Sequence, residues 1–172
     1  MQFGDELDDE GLEGVSLRNN LEVELKDQEK LIASSGTLLG YRYEGSSIVI
    51  SDDTPPPKDN PRIYIPTARP GHRAPHIWLE EGVSLLDKFG RGFTLLNFGK
   101  TNTDFAPIEE AAESIKLPLE ILEIDDMSSA ILYERRFVMI RPDLMVAWRG
   151  NSLPDDLYQF LNILRGETDD FV

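Results

Sequence analysis

Apolar residues follow different rhythms along this chain. Between Ser16 and Ser34 they are sparse, falling at Leu17, Leu21, Leu25, Leu31 and Ile32 among many charges. Leu17, Leu21 and Leu25 share one face at helical spacing. That predicts an amphipathic helix over Ser16 to Ser34, with Gly36 as a stop just beyond it. Thr37 to Tyr43 and Ser46 to Ile50 are short and rich in β-formers, so strands or extended segments are expected there. From Asp52 to Pro61 the rhythm vanishes. Pro55, Pro56, Pro57 and Pro61 fix φ and remove donors, which makes this stretch a linker unable to enter a central sheet or helix. Pro66, Pro70 and Pro75 keep the following residues extended.

From Ser84 onward the pattern becomes compact α/β alternation. Gly92 to Phe98 is an apolar run of strand length, suited to burial on both faces. A helix is expected from Asp104 or Phe105 to Ile115. Asp104 serves as its cap, Pro107 sits in its first turn, and Ile108, Ala111, Ala112 and Ile115 form its inner face. Leu119 to Ile124 alternates apolar and acidic residues, the period of a half-buried strand. Phe137 to Ile140 is a further strand. Arg141-Pro142-Asp143 turns the chain, and Met145 to Trp148 returns as the second arm of a hairpin. Ser152 is the expected N-cap of a last helix, whose apolar face is Leu157, Phe160, Leu161 and Leu164 and whose stop is Gly166. The order strand, helix, strand, strand, strand, helix is that of an α/β, thioredoxin-like βαβ-ββα domain. The crossover makes its first strand pair parallel, and the short turn makes its last pair antiparallel.

Composition narrows the function classes. The formal net charge is −15, which argues against nucleic acid as a partner, because phosphate binding needs clustered Lys and Arg. Asp5, Glu6, Asp8, Asp9, Glu10 and Glu13 precede the first basic residue, Arg18. They lack the ligand spacing of an EF-hand loop and read as a solvated, disordered leader over residues 1–15. The expected organisation continues with residues 16–66 as helix, short strands and linker left from a preceding domain. A thioredoxin-like domain over 67–166 and a tail over 167–172 complete it. No apolar run reaches the length of a membrane span and no secretion signal follows Met1, so a cytoplasmic protein with no membrane partner is expected.

There are no cysteines. In a thioredoxin-like domain a thiolate near the N-terminus of the first helix does the redox work. Here that region, Gly99 to Phe105, holds no sulfur, so thiol–disulfide exchange is excluded on chemical grounds. Gly90-Arg91-Gly92 is too short for a dinucleotide fingerprint and precedes a strand instead of following one, so it reads as a turn. His72 and His76 stand four apart with Pro75 between them, which disfavours a helical metal pair, and neither is expected to bind metal. No serine lies in a nucleophile elbow.

Two segments carry a resemblance. One is Pro70-Gly71-His72-Arg73-Ala74-Pro75-His76-Ile77-Trp78-Leu79, continued by Ser84 to Leu96. The other is Ile140-Arg141-Pro142-Asp143-Leu144-Met145-Val146-Ala147-Trp148-Arg149-Gly150. Together they resemble the C-terminal part of the FAD-dependent aromatic-ring hydroxylases, the flavoprotein monooxygenases of the phenol hydroxylase and polyketide hydroxylase type. The resemblance implies a thioredoxin-like fold without the redox pair. In the whole enzymes a preceding domain binds FAD, NAD(P)H reduces it, and a flavin hydroperoxide hydroxylates a phenolic substrate. The C-terminal domain packs against that unit and in some members contributes dimer contacts. The family's flavin-binding signatures are absent from this sequence, so the resemblance implies no catalytic, cofactor-binding or metal residue here.

Arg73, His76, Trp78, Asp143, Trp148 and Arg149 are the structural or docking residues most tied to the resemblance. Arg73 and Arg149 are expected to pin the linker to the domain, and Asp143 to serve the turn. Two functions follow. One is a non-catalytic structural and assembly domain of an FAD-dependent aromatic-ring monooxygenase, partnered by a flavin-binding domain or subunit. The other is a free-standing, redox-inactive thioredoxin-like interaction module, with a homodimer through the Leu17, Leu21 and Leu25 stripe as a variant.

Overall fold

A computed structural model describes residues 5–32, 34–99 and 102–167. Lys100 and Thr101 of the region where a redox thiol would stand, and most of the tail, lie outside the described residues. The chain forms two units. The first comprises the residues up to Leu38 together with Asp59–Tyr64, and the second comprises Leu39–Lys58 and residues 65 onward.

The first unit is built on one long helix, α1 (Leu12–Ile32), preceded by a 3-10 turn at Asp5–Asp8. The helix starts at Leu12, four residues before the expected Ser16, inside the acidic stretch read as a leader. The Arg18 guanidinium ties the turn to it, donating to the carbonyls of Leu7 at 2.6 Å and Asp9 at 2.8 Å. Leu17 and Leu21 are half-buried, whereas Leu25 is 54 % exposed. The side chains of Leu31 and Ile32 lie outside the described ones.

A short helix, α2 (Ser35–Leu39), replaces the start of the strand expected over Thr37 to Tyr43. Gly36 therefore lies inside a helix, not past the end of one. It packs so closely on Asn60 that a Cβ would stand 1.7 Å from that residue's carbonyl oxygen. The strands expected at 37–43 and 46–50 do not form. Turns at Glu44-Gly45 and Ser47-Ile48 interrupt the segment, leaving isolated contacts: a bridge at Arg42 to His72, where the Tyr43 amide donates to the Gly71 carbonyl, and a backbone hydrogen bond from Ile50 to Ala147. β-branched residues favour strands only where a ladder is available, and here the turns break it.

The second unit is organised by a four-stranded sheet. β3 (Phe93–Phe98) is one of its two interior strands, and all six residues are buried, the polar Thr94 and Asn97 included. It pairs parallel with β4 (Leu119–Ile124), in register from Phe93 with Leu119 to Phe98 with Ile124. Its other side pairs antiparallel with β5 (Phe137–Ile140), which in turn pairs antiparallel with β6 (Val146–Gly150). This is the thioredoxin-like arrangement, with a parallel βαβ half joined to an antiparallel ββα half.

Alternation along the strands makes two cores. Phe93, Leu95, Phe137, Met139 and Trp148 face α3 (Ala106–Ser114) and α5 (Leu157–Arg165), where Ile108, Ala112, Phe160, Leu161 and Leu164 complete one cluster. Leu96, Phe98, Val138, Ile140 and Val146 face the other way, toward Ala68, Ala74, Leu85 and Tyr133. α5 begins later than expected. Its N-cap is Asp156, whose carboxylate accepts from the Gln159 amide at 2.8 Å, and not Ser152. Asp156 thus satisfies one of the amides that the first turn leaves without an intrahelical partner. Gly166 closes α5 in the left-handed conformation at φ 84°.

Beyond α2, a helix and a hairpin were not anticipated. α4 (Met127–Tyr133) lies between β4 and β5, so the order is strand, helix, strand, helix, strand, strand, helix. A small hairpin, β1 (Trp78–Glu80) with β2 (Val83–Ser84), precedes β3, turning at Gly82 with φ 77°.

Candidate docking clasp at the edge of the sheet

β6 ends the sheet, and an open edge strand invites unwanted pairing. The proline-fixed arm covers it piecewise. Gly71 donates to the Val146 carbonyl at 2.7 Å, Val146 donates to the His72 carbonyl at 2.8 Å, and Ala74 donates to the Leu144 carbonyl at 2.8 Å. The backbone bridge between Arg73 and Met145 continues the contact.

Arg149 fastens the arm from below. Its neighbour Trp148 points into the core and meets Phe160 edge-on, with ring centroids 5.0 Å apart. Arg149 therefore emerges on the opposite face, where its side chain retains only 1 % exposure. Nε donates to Asp52 Oδ2 at 2.7 Å, Nη1 to Glu134 Oε2 at 2.8 Å and Nη2 to Thr54 Oγ1 at 3.2 Å. Burial alone would raise the Asp52 pKa. Hydrogen bonds from Thr54 and Arg149, with the Arg149 charge, outweigh it and hold the carboxyl below its ordinary 3.8. A second guanidinium repeats the motif: Arg69 Nε donates to the Thr54 carbonyl, and its Nη1 lies 3.3 Å from Glu44 Oε1. Arg42 Nε approaches that same oxygen at 3.2 Å.

The six residues singled out in the sequence separate into two groups. Trp148 and Arg149 belong to the interior and the clasp. Asp143 shapes the hairpin turn, accepting twice from Arg141, at 3.1 and 3.0 Å, and once from the Met145 amide at 3.3 Å. Arg73, His76 and Trp78 stand outside the clasp. Trp78 is 64 % exposed and His76 meets it edge-on at 4.7 Å. The Arg73 guanidinium is half-buried and makes no ion pair or hydrogen bond with a described residue. Pinning of the linker is shared between Arg149 and Arg69, and Arg69 was missed. Its signal was weak, since one Arg before a Pro-Gly turn has no distinctive spacing.

His72 sits within the arm's contact with β6, 4 % exposed. Burial lowers its pKa below the usual 6.5. The Pro70 carbonyl opposes this, Arg69 and Arg42 add to it, and Glu44 opposes in part. His76 is exposed, so the two imidazoles occupy different environments. Among the described residues no three His, Asp or Glu side chains gather as metal ligands.

Two features bear on a phosphate site among the described residues. Gly92 is glycine because a Cβ there would stand 2.4 Å from the Pro118 carbonyl oxygen, so the residue serves strand packing and not a phosphate. The helix following β3 has Phe105 at its cap, with no side-chain hydrogen bond, and a proline in its first turn. Neither feature offers the ring of free amides that a pyrophosphate requires. No helix among the described residues is long and apolar enough to cross a membrane.

Comparison with known proteins agrees with the fold. Residues 67–167 match the family model described as aromatic-ring hydroxylase, C-terminal. The chain is 34 % identical over 147 residues to the FAD-dependent monooxygenase apdD of Emericella nidulans, covering 81 % of this chain and 24 % of that protein. It is 33 % identical over 147 residues to aklavinone 12-hydroxylase RdmE of Streptomyces purpurascens, covering 77 % of this chain and 27 % of that one. The solved structure of native and K252c-bound RebC-10x superposes with a TM-score of 0.78 at 35 % identity, over 98 % of this chain and 32 % of that one. The chain thus spans about a quarter to a third of the length of these relatives. A parallel-then-antiparallel sheet, an arm clasped by Arg149, and a match over residues 67–167 lead to one assignment: the chain belongs to the aromatic-ring hydroxylase C-terminal domain family.

Proposed function

We propose that this chain is a docking and assembly domain for an FAD-dependent aromatic-ring monooxygenase and carries none of the reacting groups itself. The observation that supports this best is the pairing of a family match over residues 67–167 with relatives three to four times longer, as their coverage of 24 % and 32 % implies. The chain has no cysteine and, among the described residues, no phosphate-cradling loop, so FAD and NAD(P)H belong to the partner. That partner is a flavin-binding domain or subunit. Arg73, His76 and Trp78 present the contact surface, an exposed indole with His76 edge-on to it, and aromatic and arginine side chains dominate interface energetics. Asp143, Trp148 and Arg149 hold that surface in place from within.

Mixed with a hydroxylase flavin domain that lacks its own C-terminal domain, the chain is expected to form a complex. Trp78→Ala should weaken that complex by about tenfold or more without changing Tm, because the indole is exposed. Titrated alone with FAD, the chain should leave the flavin spectrum unchanged. Micromolar FAD binding, or NADPH oxidation by the chain alone, overturns the reading.

A second reading, a free-standing interaction module that pairs with its own copy, has α1 in its favour, where Val23 is 62 % and Leu25 54 % exposed. Sedimentation at the monomer mass at high concentration removes it.

A further inference from the structure

We propose that the groove between α3 and the outer edge of β4 receives an extended, lysine- or arginine-rich segment of a partner protein, added to the sheet as a strand. The site is separate from the arm clasp, since β4 and β6 are opposite ends of the sheet. It therefore stands or falls independently of the flavin-domain reading.

Four features of the edge support this. Among the described strands β4 pairs only with β3, so its outer amides and carbonyls have no strand partner. Beside it lies a cavity of about 330 Å³ lined by Glu109, Ala112, Glu113, Leu117 and Leu119. Its floor is apolar: Ala112 is buried, and Leu117 and Leu119 are half-buried against the core. Its rim is acidic. Glu109 and Glu113 stand one turn apart on α3. Lys116 and Arg165 lie at the C-terminal end of α3, where Arg165 reaches the Ile115 carbonyl, and the Glu109 and Glu113 carboxylates line the groove.

The occupant follows from that chemistry. Main-chain pairing supplies affinity for any extended segment, and alternate side chains supply selectivity. Residues at every second position face α3, where an apolar one covers Leu117 and Leu119 and the next of the same set, cationic, reaches Glu109 and Glu113. A second copy of this chain is a poor occupant. Two copies joined along β4 would bring Glu120 and Glu123 of each to one seam, in molecules that each carry −15.

The test uses the whole chain and a fluorescent peptide of about seven residues, Lys-Thr-Val-Thr-Lys-Thr-Val, whose every second side chain is Lys or Val, the length of an ordinary strand. Anisotropy should show saturable binding, and hydrogen exchange should slow at the amides of residues 119–124. Glu109→Gln with Glu113→Gln should weaken binding by about tenfold, from two rim charges of modest individual worth. Glu13→Gln with Glu24→Gln on α1, the same change in net charge, should leave it unaltered. Absence of binding, equal binding to all three proteins, or binding without protection at 119–124 overturns the proposal.

Discussion

Alternation along β6 gives neighbouring residues different roles. Trp148 fills the core and Arg149 crosses to the other face, where it is the common partner of Asp52, Thr54 and Glu134. Truncating one side of a buried, hydrogen-bonded ion pair leaves the other side uncompensated. Arg149→Ala should therefore lower unfolding stability by about 3 kcal/mol or more, read as a shift in the denaturant midpoint. A loss within experimental error would mean that the clasp holds nothing. His72 gives a second prediction. Burial first, with the Arg69 and Arg42 charges adding to it, puts its folded pKa below the unfolded value of 6.5. A depressed histidine contributes its full stability above the unfolded pKa and loses it as pH falls below that value toward the folded one. Stability should thus fall as the solution is acidified from pH 6.5, and His72→Phe should flatten that part of the profile relative to the parent. Asp143 was legible as a turn residue because its partners, Arg141 and Met145, are two positions away. The ties of Arg149 were not, because Asp52 and Thr54 are 97 and 95 positions distant and leave no local spacing.

The same contrast between local and distant causes governs the elements. β3 was readable because it is interior to the sheet and apolar at four of its six positions, Thr94 and Asn97 being the exceptions, so its sequence needs little context. α3 and α5 were readable from their periodicity, and the hairpin of β5 and β6 from its Pro-Asp turn. The segments at 37–50 failed because β-propensity describes what fits a ladder, and no ladder is offered there beyond isolated contacts with the arm and β6. α4 was missed for a different reason. It is seven residues long, too short for a periodic signal, and it exists because Asp126 caps it and Tyr133 anchors it. The cap is visible as the Ser129 amide donating to Asp126 at 2.6 Å, and the anchor as the Tyr133 hydroxyl donating to the Pro75 carbonyl at 2.8 Å. Tertiary contact, and not intrinsic preference, stabilises so short a helix.

At the scale of the whole molecule, burial is divided unequally between the two units. The second unit has apolar clusters on both faces of its sheet, with Leu95, Leu96, Met139 and Ile140 fully enclosed. In α1, Gly14 is the one buried residue among those whose side chains are described, while Leu12 is 92 % and Val23 62 % exposed. Isolated helices are marginal in water, and local opening follows local burial. Amides of α1 should therefore exchange at least about a thousandfold faster than those of β3 and β5, whose opening approaches global unfolding. Hydrogen exchange followed by mass spectrometry measures both in one experiment. Its concentration dependence carries the further information. If copies of the chain pair through the Leu25 face, α1 protection rises with protein concentration; if α1 is reserved for a flavin-binding partner, protection appears only when that partner is added. Strong protection of α1 in the dilute, isolated chain would contradict both, since one buried glycine in the described part of the helix would not account for it.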